Sequence, residues 1–294
     1  MWRQHLFTLI WVLLGTLAAG LVGAALGRSW AWAGAAAAVA ALAALWWTTR
    51  RLRRRAMLDR EPFPEPWRRV LEEKVDYYQA LDEADRRNFE RQVRYFLDEH
   101  VVTGPRGAPL EDELRVLVAA SAVILVFRRP AFSYPKLRDV IVYEDAFGKD
   151  YQVESHGTLL GQVGGQGPII LSAKALRKGF ADPSDGHNVG LHEFAHVLDF
   201  DDGRSDGVPS FMPWRSIRPW IEVIGRETRR VQRRRSILRQ YATKNEAEFF
   251  AVATEVFFEQ PEALAEKHAE LYALLCKTYG QDPARTDCLA SDEG

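Results

Sequence analysis

The segment His192-Glu193-Phe194-Ala195-His196 constrains this chain more than any other feature, because it sets two imidazoles four residues apart with a carboxylate beside the first. On an α-helix that spacing puts both rings on one face, where they can hold a single metal ion with Glu193 at its edge. Val189, Leu191, Phe194, Ala195, Val197 and Leu198 make such a helix apolar nearly all round, which predicts burial in a core. Buried polar groups left unpaired cost on the order of a few kcal/mol each, so the chain must fold around a satisfied polar centre. A metal ion with its water would satisfy all three groups. The plainer solution is a pair of core histidines bonded to backbone.

A catalytic metal of this kind takes a third protein ligand from elsewhere and keeps one position for water. Asp202 lies six residues after His196, with Met212 beyond it, as in the metzincin layout. That layout turns the chain with a glycine three residues after the second histidine, and here the position is Asp199. Glu248 is the better candidate. A helix with Asn245 as its N-cap carries Glu248, Ala251, Val252 and Glu255 along one face, among Phe249, Phe250, Val256 and Phe257. A glutamate in such surroundings needs a cation or a donor, and an arginine is the alternative to a metal. Asp199 shares a helical face with both histidines. There it can hold an imidazole N–H from behind, or simply end the helix ahead of Asp201 and Asp202.

The formal net charge of −1 implies no partner, but the charges are unevenly placed. Leu6 to Leu26 and Trp30 to Trp47 contain no charged residue, which predicts two membrane-spanning helices, packed through Gly15, Gly20, Gly23 and Gly27. A cleaved signal peptide ending near Ala24 and Ala25 is the rival reading of the first run. Arg50, Arg51, Arg53, Arg54 and Arg55 follow the second, so both ends are expected in the cytoplasm, with the protein at the inner membrane. The two cysteines, Cys276 and Cys288, have no metal or redox spacing, which fits a reducing compartment.

The expected organisation is a transmembrane hairpin over 1–56, a proline-rich linker over 57–67, a domain over 68–285 and a tail over 286–294. Within the domain, apolar periodicity predicts helices over Trp67–Leu81 and Asp85–Glu99. Leu114–Phe127 reads as a buried helix, although Val123 to Val126 would also suit a strand. Short strands are expected at Val140–Tyr143 and Pro168–Leu171, the second followed by a helix opening at Ser172. The glycine-rich stretch from Ser155 to Gly167 reads as a flexible turn or the rim of a groove that pairs an extended peptide. His100, His156, His187 and His268 lack metal spacing and are expected in loops or on the surface. The basic run from Arg226 to Arg239 reads as a solvated face or a contact with anionic lipid. No dinucleotide fingerprint or nucleic-acid reading motif is present, so no nucleic acid is expected as a partner.

Two segments taken together are more specific than either alone. NVGLHEFAHVLDFDDGRSDGVP, from Asn188 to Pro209, and YATKNEAEFFAVATEVFFEQPEAL, from Tyr241 to Leu264, resemble the MtfA-like (Mlc titration factor A) zinc peptidases, bacterial relatives of the anthrax lethal factor catalytic domain. The similarity extends from about Pro62 to about Pro283. It implies an α+β, mainly helical, zincin-like metallopeptidase domain with a small sheet, here preceded by the two-helix hairpin. It also implies a gluzincin-type Zn2+ site, with His192, His196 and Glu248 as ligands, Glu193 as general base and Tyr241 as a donor to the oxyanion. A peptide or protein would be the substrate, with aminopeptidase-like action on short peptides. The resemblance carries a second reading, a zinc-containing binding protein that sequesters a transcriptional regulator.

Overall fold

The computed structural model describes residues 30–129, 132, 134–137, 139–144 and 168–285, with side chains from residue 38 onward. The chain divides into two compact units, Met1–Pro62 and Phe63–Gly294.

The first unit contributes one long helix, α1 (Trp30–Leu58). Its apolar part is built mainly of alanine, and it runs without a break into the arginines. Alanine's single methyl carries little of the apolar surface that favours transfer out of water. The guanidiniums of Arg50 and Arg53 fold back over the rings of Trp47 and Trp46, at 4.3 and 5.1 Å. Among the described residues no helix is long and apolar enough to cross a membrane. The expected hairpin is therefore not found. Its second run is one end of α1, and its first run, Leu6 to Leu26, lies outside the described residues.

The second unit is mainly helical. It opens with α2 (Glu65–Lys74), α3 (Asp76–Gln79) and α4 (Glu83–Glu99), followed by β1 (Val101–Thr103) and α5 (Asp112–Val126). Next come β2 (Asp139–Tyr143), β3 (Ile169–Ser172), α6 (Ala173–Ala181) and α7 (Val189–Asp199). The chain continues through α8 (Trp214–Gln232), a 3-10 turn at Gln240–Thr243, α9 (Glu246–Glu259), α10 (Pro261–Lys267) and α11 (Ala269–Tyr279). The strands form a parallel sheet in the order β1-β2-β3, with Val102 opposite Val140 and Val140 opposite Ile169. Parallel neighbours need a crossover connection, and α5 lies on the path from β1 to β2.

The helix expected over Trp67–Leu81 is broken. Val75 leaves the helical region at φ −119°, ψ 89°, with its side chain fully buried, and the chain restarts as α3. Leu114 to Val126 is helical and almost wholly buried, which settles the ambiguity at Val123 to Val126. Both expected strands are present, and β1 joins them as a third. The stretch from Ser155 to Gly167, His156 and the tail over 286–294 lie outside the described residues.

The site helix α7 packs against α5 and α9, two helices buried over most of their length. Its close approach to α5 depends on Gly190. A Cβ there would meet the Ser121 hydroxyl oxygen at 2.1 Å and the Ser121 Cβ at 2.8 Å. Glycine costs a helix interior roughly 1 kcal/mol relative to alanine, and here that cost is the condition for packing two backbones together.

Candidate metal centre

α7 begins where the Asn188 side chain accepts a hydrogen bond from the Leu191 N–H at 3.1 Å, and α9 begins where Asn245 accepts one from Glu248 N–H at 2.8 Å. Both are side-chain N-caps that satisfy donors the helix leaves open. Glu248 thus sits in the first turn of α9, and its carboxylate faces the His192 and His196 rings on α7. His192 Nε2 lies 3.1 Å from Glu248 Oε2, His196 Nε2 lies 3.2 Å from the same oxygen, and the two Nε2 atoms are 3.2 Å apart. All three residues are buried.

The triangle fits a metal ion. A tetrahedrally held divalent ion with bonds of about 2.0–2.1 Å spreads its donors to about 3.3–3.4 Å, close to these separations. Two imidazoles and a carboxylate are also a donor set of the kind that catalytic zinc sites use. Burial works against a charged His192, but the charge of Glu255 and hydrogen bonds to Glu248 and Glu255 push its imidazole well up. Burial likewise opposes ionisation of Glu248, and the two imidazoles overcome it, holding the carboxyl far below the usual range. The centre is one that draws positive charge.

Glu193 is half-buried, and burial raises its carboxyl against the opposing pull of His192 and His196. Tyr241, on the 3-10 turn, donates its hydroxyl to Glu248 Oε1 at 3.0 Å. Lys244 Nζ lies 3.2 Å from the Tyr241 oxygen and 3.5 Å from Glu248 Oε1. One edge of the Glu248 carboxylate therefore faces the imidazoles while the other takes a phenol and an ammonium.

Of the five expected residues, His192, His196, Glu248 and Tyr241 come together, and Glu193, next to His192 on α7, feels the charge of both imidazoles. Asp199 is placed differently. It is fully buried, and its Oδ2 accepts from the Ser205 hydroxyl at 3.4 Å. Its Oδ1 has no hydrogen-bond partner among the described residues. Burial pushes the carboxyl up to about 6, against the backbone N–H of Gly207. The bond expected of it goes instead to Glu255, whose Oε1 faces His192 Nδ1 at 2.7 Å. Asp202 is turned away after the metal helix. It follows Phe200 in a 3-10 turn that Gly203 closes at φ 97°, and it pairs with Arg204, whose backbone N–H it accepts at 2.9 Å.

Residue patterns missed four participants: Glu255, Arg239, Lys244 and His187. Glu255 had a signal, since it lies on the Glu248 face of α9, seven residues on. His187 is half-buried, with Nδ1 at 3.2 Å from Glu255 Oε2. His100 and His268 are also buried rather than on the surface, and His268 Nδ1 lies 2.6 Å from Glu227 Oε2. The basic run is partly paired, through Arg226 to Glu270, Arg230 to Glu227 and Arg239 to Glu255.

Comparison with known proteins bears on the same residues. The sequence pattern of the glucose-regulated metallo-peptidase M90 family matches residues 47–280, which include the whole centre. The Synechocystis protein slr2042 is 31% identical over 244 residues, covering 78% of this chain and 89% of that protein. Mlc titration factor A of Escherichia coli is 28% identical over 248 residues, covering 77% and 90%. Mlc titration factor A of Salmonella paratyphi A is 31% identical over 172 residues, covering 53% and 64%.

Proposed function

The chain belongs to the glucose-regulated metallo-peptidase M90 family, of which the Mlc titration factor A proteins are relatives, and we propose that it is a zinc-dependent peptidase with aminopeptidase-like action on short peptides. The observation that carries this reading is the 3.1–3.2 Å triangle of His192, His196 and Glu248, with Glu193 next to the first histidine in the chain.

In this reading His192, His196 and Glu248 would hold Zn2+, which would supply a Lewis acid for the scissile carbonyl and lower the pKa of water toward about 7. Glu193 takes a proton from the attacking water and returns it to the leaving amine, the two transfers peptide hydrolysis requires. The Tyr241 hydroxyl is a donor held at the site's edge, and it turns from Glu248 to the oxyanion that forms during attack. Lys244 keeps positive charge beside the tyrosine oxygen.

The test is metal content together with cleavage of a peptide library by the purified protein. The wild type should hold one zinc per chain and lose cleavage to a chelator. Glu193→Gln should keep its zinc and lose about 100- to 10,000-fold in rate. Cleavage retained in zinc-loaded Glu193→Gln would overturn the reading.

A second reading is a zinc-containing protein that binds a transcriptional regulator. The name of its relatives, Mlc titration factor A, is compatible with it. Stoichiometric binding of a regulator by a protein that holds zinc but cleaves nothing would support it over the first. We also propose a place at the cytoplasmic face of the inner membrane, on the ground of the arginines after Trp47 and the uncharged run from Leu6 to Leu26. Recovery of the whole protein in the soluble fraction would remove that proposal.

A further inference from the structure

Glu255 is a second buried carboxylate at the centre, and it meets His192 on the ring nitrogen that faces away from Glu248. It is fully buried, two turns beyond Glu248 on the same face of α9. Its two oxygens serve different neighbours. Oε1 lies 2.7 Å from His192 Nδ1 and accepts from Arg239 Nη2. Oε2 accepts the Asn188 backbone N–H at 2.7 Å and lies 3.2 Å from His187 Nδ1. Four donors take up most of what two carboxylate oxygens can accept. Leaving any of them without a partner in this core would be costly.

We infer that Glu255 is the positioning residue of the metal centre: its Oε1 side, held by Arg239, fixes the proton of His192 on Nδ1 so that Nε2 is presented to the metal. The reasoning is one of donor and acceptor types. A carboxylate held by a guanidinium and a backbone N–H can only accept, so the nitrogen facing it must carry the hydrogen. In the neutral form that a metal requires, His192 then keeps its lone pair on Nε2, the atom that faces Glu248 and His196. The Oε2 side does a separate job. Asn188 is the N-cap of α7, so the bond to its N–H anchors the start of the helix four residues before the ligand. One side chain thus sets both the place of the metal helix and the tautomer of its first ligand.

The division between the oxygens separates positioning from scaffolding. If Glu255 only anchors the helix, its two sides should matter alike, and chiefly for stability. If it sets the tautomer, the Oε1 side should govern metal affinity. An amide at position 255 can turn its NH2 toward His192 and favour the opposite tautomer, which puts a hydrogen where the metal should bind.

This inference rests on the proposed metal site, and the experiment keeps the two apart. Zn2+ affinity is measured by chelator competition on the full chain for wild type, Glu255→Gln, Arg239→Met and His187→Ala, alongside the metal-free melting temperature. The visible spectrum of the Co2+-loaded proteins reads the ligand geometry. Glu255→Gln should lose about 10- to 100-fold in affinity, as removal of a partner behind a metal-binding histidine does, with an altered Co2+ spectrum. Arg239→Met, on the Oε1 side, should weaken binding by several-fold, while His187→Ala, on the Oε2 side, should leave it within about twofold. If Glu255→Gln does not fold, the Arg239 and His187 pair decides the matter. Equal affinities and spectra in Arg239→Met, His187→Ala and the wild type would overturn the inference. A wild type that binds no Zn2+ would instead overturn the metal site itself.

Discussion

Glu248 and Asp202 are both acidic and both plausible partners of His196 by sequence, yet only Glu248 reaches it in space. Glu248 Oε2 lies 3.2 Å from His196 Nε2, whereas Asp202 is exposed and spends its carboxylate on Arg204. Glu248→Ala should therefore cost more metal affinity than the about 10- to 100-fold expected for an outer partner, and Asp202→Ala should leave affinity unchanged. Chelator competition on the two variants checks this, and a loss confined to Asp202→Ala would reverse the assignment. The same contrast marks how far the centre was legible in the residues alone. His192, Glu193 and His196 are readable because four-residue spacing on a buried helix has one geometric meaning. Glu248 is readable in part: a carboxylate among phenylalanines needs a partner, and the family resemblance, through the spacing from Tyr241, favours it over Glu246 and Glu255. The choice between Asp199 and Glu255 was not readable. Both lie on suitable faces of their helices, and which one meets His192 Nδ1 depends on how α7 and α9 are rotated against each other. Lys244 and Arg239 escaped for a related reason: a long cationic side chain reaches its partner through torsions that no periodicity records.

At the scale of elements, the long apolar and amphipathic patterns led to real helices and two short apolar runs to real strands, while the shortest strand and the break at Val75 did not announce themselves. β1 has only three residues, too few for an alternation to show, and it exists because Val101–Thr103 can pair with β2. Val75 breaks an otherwise helical period although its burial, shared with Leu71 and Tyr78, would suit an unbroken helix as well. The contact of α7 with α5 offers a sharper test. Gly190→Ala places a methyl inside the Ser121 side chain, which cannot retreat because it is buried with its hydroxyl bonded to the Leu117 carbonyl at 2.9 Å. Overpacking of this kind costs about 1–3 kcal/mol, so the variant should melt lower despite alanine's better helix propensity. Ser121→Gly in the same chain should recover part of the loss. If Gly190→Ala melts like the wild type, α7 does not sit this close to α5.

The last turn of α9 carries a second element-scale prediction. Both carboxylate oxygens of Glu259 are buried, and the Asn188 side chain and the His187 backbone N–H near them fall short of good hydrogen-bond geometry. Burial, against the Asn188 side chain and with the charges of Glu255 and Asp185, pushes its carboxyl from 4.5 up to about 8. A carboxyl raised in the folded state holds its proton better there than in the unfolded chain, so stability falls as pH rises from about 4.5 to about 8. Glu259→Gln removes that dependence. The variant should match the wild type near pH 5 and melt higher at pH 9, by about 2–4 °C for each kcal/mol recovered. A wild type whose melting temperature tracks that of the variant across this range would show that Glu259 ionises freely in the native protein.

For the molecule as a whole, the metal ligands link parts that are distant in sequence but central in the fold. His192 and His196 lie on α7, Glu248 on α9, and both helices are packed into the core of the unit from Phe63 onward. A metal held between them opposes separation of the two helices, so its binding free energy should appear in the unfolding of the entire unit rather than in a local loop. Free metal at 100 times its dissociation constant adds about 2.7 kcal/mol, which raises the melting temperature of a domain of this size by about 5–10 °C. Among the described residues the groups that build the centre all come from Phe63–Gly294, so a chain of residues 63–294 should show the same metal-dependent rise and the same affinity as the full chain. Calorimetric melts of the two chains across a Zn2+ series check this together. A single transition that climbs equally in both would place the whole of the metal coupling within the second unit, whereas a weaker rise in the shorter chain would mean that the first unit contributes to the centre's affinity.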